Sequence, residues 1–147
     1  MGDEANGLAG VWVLRSARLE RADTGETILP YGDHPRGVLI LHEGGRMAAI
    51  ITPSDQAGDK PPPRRKLLAY SGRYRIEAGN RFVTDVDIAW IPSWVGTPRG
   101  RNFSLRDGML DIVSDPAPVE FLDGAMAKGI LSWVREDETA GRDAAHA

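Results

Sequence analysis

The chain has 147 residues, which is the size of one ordinary domain with a single packed core. Apolar residues make up 41% and charged residues 27%, proportions that exclude wholesale disorder and a fibrous repeat. The net charge of −3 gives no support to a nucleic-acid partner, and the absence of cysteine excludes disulfides and thiolate metal sites. No apolar run has the length of a membrane helix and the N-terminus is acidic, unlike a signal peptide, so we expect a cytoplasmic protein without a membrane partner.

Eight apolar or alternating runs follow one another along the chain, each ended by glycine, proline, aspartate or asparagine, which is typical of strands and turns. Short turn sequences between them, such as Asp107-Gly108, predict antiparallel hairpins. Sequential hairpins in one small domain favour an up-and-down barrel over a sandwich. We therefore predict an all-β domain over residues 1–135, an eight-stranded antiparallel up-and-down barrel with strands near 8–20, 36–42, 46–52, 70–76, 82–90, 101–106, 109–114 and 126–135.

Two segments depart from the strand pattern. Residues 54–66 are polar and rich in proline, which predicts a mobile loop at the mouth of the barrel, with at most one or two short helical turns in the region 61–69. Residues 136–147 contain no large apolar side chain and are expected to form a disordered tail.

Several short motifs resemble those of the bacterial and fungal lipocalin-like domain family. Gly10-Val11-Trp12 is similar to the lipocalin G-x-W motif, and Arg135 stands where lipocalins place an arginine over that tryptophan. The resemblance implies the same barrel, an Arg135–Trp12 stack at its closed end and, since some members lie near gene clusters for secondary metabolites, a role in secondary metabolism. Further motifs match in order, namely Tyr31-Gly32 with Pro35-Arg36-Gly37, Gly45-Arg46-Met47, Ala69-Tyr70-Ser71-Gly72-Arg73-Tyr74 and Ile91-Pro92-Ser93-Trp94-Val95-Gly96-Thr97.

The sequence departs from the family pattern before the Pro92 motif. Many members carry histidine and then glutamate there, whereas this chain has Thr84-Asp85-Val86-Asp87. A role that the family gives to that histidine therefore has no counterpart in this chain.

Alternation along the strands predicts which side chains face the interior, because successive strand residues point to opposite sides of a sheet. Trp12, Leu14 and Ser16 share one face of the first strand, and Arg73 and Arg75 fall on the outer face of the fourth. The predicted inner set combines flat apolar surface with phenol groups and suits a hydrophobic, polycyclic or polyene-like ligand. The alternative is that these side chains only fill the barrel. The candidate ligand-binding residues are Tyr70, Tyr74, Met47, Leu39, Trp90, Trp94, Phe103 and Ile112.

The candidate catalytic residues are Asp85, Asp87, Arg101 and Tyr74. A three-residue turn after Ile76 places both aspartates on the outer face with Arg73 and Arg75 as surface ion pairs. A two- or four-residue turn places them inside, where burial raises a carboxyl pKa and suits acid–base catalysis. Both orientations of the aspartates remain open at this stage. Alternation with Phe103 predicts that Arg101 points inward, where its role is either structural or ligand-binding.

Three classes of function are compatible with the sequence: a cofactor-free cyclase or isomerase, a non-catalytic carrier of a hydrophobic small molecule, and a domain with a fully packed interior. We expect the first, with the carrier as the alternative. His34, His42 and His146 lack the spacing of metal ligands, so neither a metal nor another cofactor is predicted. Apolar residues on both faces of 38–41 suggest a homodimer.

Overall fold

The protein is an antiparallel β-barrel. Its structure is a computed structural model, which describes residues 7–53 and 63–136. Two 3-10 helices, η1 (Pro92–Trp94) and η2 (Glu120–Leu122), lie between strands. The strands are β1 (Gly10–Arg21), β2 (Thr27–Ile28), β3 (Arg36–Leu41), β4 (Arg46–Thr52), β5 (Leu68–Glu77), β6 (Arg81–Ala89), β7 (Pro98–Arg106), β8 (Met109–Ser114), β9 (Ala117–Pro118) and β10 (Met126–Arg135).

The eight long strands form a closed barrel in the order β1-β3-β4-β5-β6-β7-β8-β10, and β10 pairs with β1 to complete the ring. This confirms the predicted fold class. The two-residue strands β2 and β9 pair with β1 and β10. At most one or two helical turns were expected in 61–69; residues 61 and 62 lie outside the described residues, and 63–67 contain no helix before β5 begins at Leu68. The 3-10 turns occur instead at η1 and η2, and no helix among the described residues is long and apolar enough to cross a membrane.

The end of the barrel at which β1 begins is filled by side chains and is called the closed end below. Trp12 is fully buried there and its indole Nε1 donates a hydrogen bond of 2.8 Å to the Leu8 carbonyl. The guanidinium carbon of Arg135 lies 4.4 Å from the Trp12 ring centroid, and Arg135 also donates to the Ala9 carbonyl at 2.8 Å. The predicted cation–π stack is therefore present, and it covers the bottom of the core. Met47 and Trp133 fill the adjoining interior, each 1% exposed.

A β-bulge in β6 decides which way the end of that strand faces. Gly72 pairs with Val86, and Ser71 pairs with Ile88, so Asp87 is the extra residue. Beyond this point the alternation is shifted by one residue. Ile88 and Trp90 are each 64% exposed, although the unbroken pattern had placed them inside.

A second irregularity separates Leu14 from Ser16 in β1. Leu14 pairs with Trp133 and Ser16 pairs with Ser132, so Arg15 is the extra residue on this strand. The inward side chains after the bulge are Ala17 and Leu19, which are 2% and 5% exposed. The prediction that Ser16 faces the interior is therefore wrong, because alternation restarts one residue later.

Candidate ligand-binding site

Side chains leave very little free volume in the middle of the barrel. A cavity of about 30 Å³ lies among Leu39, Tyr70, Phe82 and Trp133, which is space for about one water molecule. At the end opposite Trp12, where β4, β6 and β8 finish, a far larger pocket of about 520 Å³ opens; it is called the mouth pocket below. Leu68, Arg101, Ile112 and Leu131 line both spaces and form the floor between them.

Trp94 forms an apolar wall of the mouth pocket. Pro92 starts the 3-10 turn η1, in which the Val95 amide donates to the Pro92 carbonyl, and the Thr97 hydroxyl donates to the Trp94 carbonyl at 2.6 Å. The indole meets the ring of Tyr70 edge-on, with centroids 5.3 Å apart and planes at 75°. The proline-containing corner between Trp90 and Trp94 therefore positions Trp94 over the interior.

Arg99 lies against the face of Trp94, with its guanidinium carbon 3.8 Å from the ring centroid. The guanidinium is half-buried, and its Nε atom is buried with no hydrogen-bond partner among the described residues. Burial, together with the neighbouring charge of Arg101, lowers the pKa of Arg99. An arginine nevertheless stays protonated at neutral pH, so the pocket holds a cation that is incompletely compensated.

Arg101 follows Arg99 by two residues on β7, so both side chains belong to the same face of the strand, and both line the mouth pocket. The backbone of Arg101 pairs with Phe82 on one side and Ser114 on the other. Within the described residues, the Arg101 side chain makes a single hydrogen bond: its Nη1 donates to the carbonyl of the adjacent Gly100 at 3.2 Å. The inward orientation predicted for Arg101 is confirmed by its place in both cavity walls.

Tyr31 contributes a buried phenol to the mouth pocket. The side chain is 1% exposed, and its hydroxyl finds no hydrogen-bond partner within 7–53 and 63–136. Burial raises the pKa of this hydroxyl, and the nearby positive charge of Arg65 partly opposes the rise. Arg65 is held beside it because its amide donates to the Pro30 carbonyl at 2.9 Å, and its guanidinium lies 6.0 Å from the Tyr31 ring. Tyr31 is therefore a protonated hydrogen-bond donor at neutral pH.

Four arginines and two carboxylates border the mouth pocket. Of the carboxylates, Asp115 is occupied: both of its oxygens accept hydrogen bonds from Arg81, at 3.1 and 2.7 Å. The Arg81 side chain crosses β7 directly over Gly100, where an added Cβ would meet it at 2.1 Å. The mouth pocket therefore carries a net positive charge around its walls, and its floor is mainly apolar. The four arginines are Arg18, Arg65, Arg99 and Arg101, and the second carboxylate is Glu120.

Asp85 and Asp87, the predicted acid–base pair, lie on the outer face of the barrel. Three residues, 78–80, separate the paired residues Glu77 and Arg81, so Asp85 stands opposite Arg73. Asp85 forms an ion pair with Arg75 at 2.7 Å. Asp87 accepts two hydrogen bonds from Arg46, at 3.0 and 2.7 Å, and that guanidinium lowers the carboxyl pKa. The outward alternative is the correct one, and neither carboxylate reaches a molecule held in the barrel.

The other predicted site residues divide between the two spaces. Trp94 and Ile112 line the mouth pocket, whereas Leu39 and Tyr70 line only the small inner cavity with Ile112. Trp90 points outward because of the bulge at Asp87, so its predicted place inside is wrong.

Three more predicted residues border neither space. Met47 is packed in the core, and the Tyr74 hydroxyl donates to the His42 carbonyl at 2.9 Å near the closed end. Phe103 packs on Phe82 with ring centroids 6.2 Å apart. Inward orientation was not sufficient to bring these side chains to a cavity, because the lower barrel is filled.

The sequence reasoning missed Tyr31, Arg65 and Arg99. Tyr31 belongs to one of the recognised motifs but had no assigned role, and Arg65 was included in the proline-rich loop. Arg99 was missed because β7 begins at Pro98, three residues earlier than expected; extending the alternation of Arg101 and Phe103 backwards would have found it. No group of three or more potential metal ligands occurs within the described parts of the chain.

A comparison with protein families identifies the fold's relatives. The model of the lipocalin-like domain matches residues 9–60 and 62–135, most of the chain. The chain belongs to the lipocalin-like domain family. Among curated proteins, none matches the chain at a significant level. A lipocalin-like barrel fits the binding of a small hydrophobic molecule, and the mouth pocket is where this barrel offers the room.

Proposed function

We propose that this lipocalin-like protein binds a small, mainly hydrophobic molecule in the mouth pocket. The observation that carries the proposal is the volume of about 520 Å³ above a floor of Leu68, Ile112 and Leu131, since pockets for drug-sized ligands span about 300 to 1,000 Å³. The space of about 30 Å³ below that floor is too small for such a ligand. The ligand therefore binds at the mouth of the barrel. The sequence had instead placed it deeper, among the inward-facing side chains of the interior.

A neutral fluorescent probe tests this function. Nile red emission is expected to rise on titration with the protein, and Ser93→Trp, which places an indole at the rim of the pocket, should weaken binding at least about tenfold. Ser104→Trp is the matched control, because Ser104 lies opposite Asp111 on β8 and lines neither cavity. Equal loss of affinity in the two variants, or none in either, would place the probe elsewhere and contradict the proposal.

A cofactor-free cyclisation or isomerisation in secondary metabolism is the second candidate for the same pocket. The observation that favours it is Tyr31, a buried, protonated phenol beside Arg65 that could donate a proton or a hydrogen bond to a bound molecule. Such a reaction keeps the mass of the substrate but changes its chromatographic retention. Liquid chromatography with mass-spectrometric detection, applied to candidate ligands after incubation with wild type and Tyr31→Phe, separates a catalyst from a carrier: a catalyst yields a peak of the same mass and new retention only with wild type.

The predicted homodimer and cytoplasmic location remain proposals. The outer face of β3 and β4 carries Ile40 and Ile50, which are 42% and 48% exposed, and Ile88 continues this apolar surface on β6. Sedimentation velocity as a function of concentration tests the dimer, with Ile50→Lys expected to abolish association through this face. A single monomeric species at every concentration would contradict it.

A further inference from the structure

We propose that the ligand of the mouth pocket carries a carboxylate, and that Arg99 and Arg101 bind it. This inference rests on the proposed function and specifies the class of ligand: a compact hydrophobic carboxylic acid. The ligand's apolar part would lie on Trp94 and Leu131.

The first argument is that two guanidinium groups on one strand face enter the same pocket. Arg99 and Arg101 are both partly buried, and each lowers the free energy of an anion placed between them while destabilising the other cation. Positive charges brought together in a partly desolvated place are costly unless an anion or hydrogen-bond acceptors compensate them. No carboxylate of the described residues forms an ion pair with either side chain.

The second argument is that the adjacent acidic side chain is already engaged elsewhere. The pKa of Asp115 is lowered mainly by hydrogen bonding from Arg81. The positive charge of Arg101 is close enough to contribute to the same lowering. Both Asp115 oxygens are directed to Arg81, whose path over Gly100 requires the absence of a side chain at that position. Arg101 is thereby left without the carboxylate next to it.

The third argument is that two residues lining this pocket each carry a hydrogen-bond donor without a partner in the described part of the chain. The Nε of Arg99 and the hydroxyl of Tyr31 are buried, and neither has a hydrogen-bond partner among the described residues. Buried donors are normally paired, so an acceptor is expected here. A guanidinium fork and a phenol are donors that suit the two oxygens of a carboxylate.

The shape of the site limits the apolar part of the ligand. The Arg99 guanidinium covers one face of the Trp94 ring, and the floor at Ile112 and Leu131 closes the barrel below. A long chain extending down the axis would have to occupy the 30 Å³ cavity. The geometry therefore favours a compact ring system or short branched skeleton attached to the acid.

Naphthalene-2-carboxylic acid and naphthalene-2-carboxamide form a probe pair that differs in charge with little change in shape. Isothermal titration calorimetry on the full chain should show the acid binding at least about tenfold more tightly than the amide, the ratio that corresponds to about 1.4 kcal/mol. Arg99→Met and Arg101→Met should each remove most of this preference. Arg106→Met, at the opposite end of the same strand and with a side chain 79% exposed, is the control that removes one positive charge without touching the pocket.

The outcomes separate this inference from the proposed function. Equal affinities of acid and amide for the wild-type protein, or a preference that survives both pocket substitutions, would overturn the carboxylate assignment while Nile red binding could still support the pocket. Loss of the preference in Arg106→Met as well would also overturn it, since the effect would then be general electrostatics. Absence of binding for acid, amide and Nile red would refute both. Retained Nile red binding in Arg99→Met and Arg101→Met shows that those variants are folded.

Discussion

The guanidinium of Arg99 lies over the ring of Trp94, with its central carbon 3.8 Å from the ring centroid, at the open end of the barrel. The contact joins the start of β7 to the 3-10 turn η1, five residues earlier in the chain. It places a cation and an aromatic surface side by side in one pocket. A ligand that binds there meets both surfaces together, and this combination distinguishes the mouth from the apolar interior below it.

Replacing Trp94 by leucine should weaken Nile red binding by about tenfold, because a half-buried indole in a pocket wall contributes more than 1 kcal/mol to binding. The matched control is Trp90→Leu, since Trp90 is 64% exposed and lies outside the barrel. Fluorescence titration of both variants measures the difference. A greater loss in Trp90→Leu would show that the probe binds the outer apolar face and not the mouth pocket.

Replacing Trp12 by alanine should lower the free energy of unfolding by about 3 to 5 kcal/mol, because a fully buried aromatic is lost together with its hydrogen bond to Leu8. Arg135→Met should cost less, about 1 kcal/mol, since the cation–π contact is partly solvated. Chemical denaturation provides both values. Unchanged stability of Trp12→Ala would contradict the assignment of this tryptophan to the core.

Gly72→Ala should destabilise the barrel by about 1 to 3 kcal/mol, the range for overpacking. A Cβ on Gly72 would lie 2.1 Å from the backbone carbonyl oxygen of Asp85, which cannot move without disturbing the bulge. Gly7→Ala is the control, because its Cβ would enter open space and its backbone is not in the left-handed region. Thermal denaturation compares the two variants, and equal melting temperatures would argue against the bulge at Asp87.

Asp85→Asn and Asp87→Asn should leave the binding of Nile red and of naphthalene-2-carboxylic acid unchanged, because both carboxylates form ion pairs on the outer face. A tenfold loss of affinity in either variant would contradict this orientation.

The ion pair of Asp87 has a predictable dependence on pH. Hydrogen bonding from Arg46 lowers the carboxyl pKa below its usual value of 3.8 in the folded protein. Its contribution to stability is therefore fully present above the unfolded-state pKa and is lost as the pH falls through the lower, folded-state pKa. Melting temperatures of wild type and Asp87→Asn should differ slightly at neutral pH and converge in acid. A difference that grows in acid would contradict the sign of the shift.

The sequence was sufficient to predict the barrel because alternation and turn residues are local signals. β5, with Tyr70 and Tyr74 buried and Arg73 and Arg75 exposed, follows the two-residue period without interruption. Bulges interrupt that period, and their positions depend on pairing between strands, which no local pattern reveals. The misplacement of Trp90 after the bulge at Asp87 and of Ser16 after that at Arg15 both have this cause.

The candidate site was less predictable for a different reason. Orientation toward the interior can be read from alternation, but the depth to which side chains fill a barrel depends on packing around its whole circumference. Met47 and Tyr74 face inward as expected and are nevertheless remote from the mouth pocket. Tyr31 and Arg65, in contrast, lie outside the long strands, and only the folded connections bring them to the opening.

The most direct test of the central claim is the position of a bound ligand. Intermolecular nuclear Overhauser effects from naphthalene-2-carboxylic acid to the labelled protein should connect the naphthalene protons with the Trp94 indole and the methyl groups of Ile112 and Leu131. Contacts with Ile50, Ile88 or Trp90 on the outer face, in place of these, would contradict ligand binding at the mouth of the barrel.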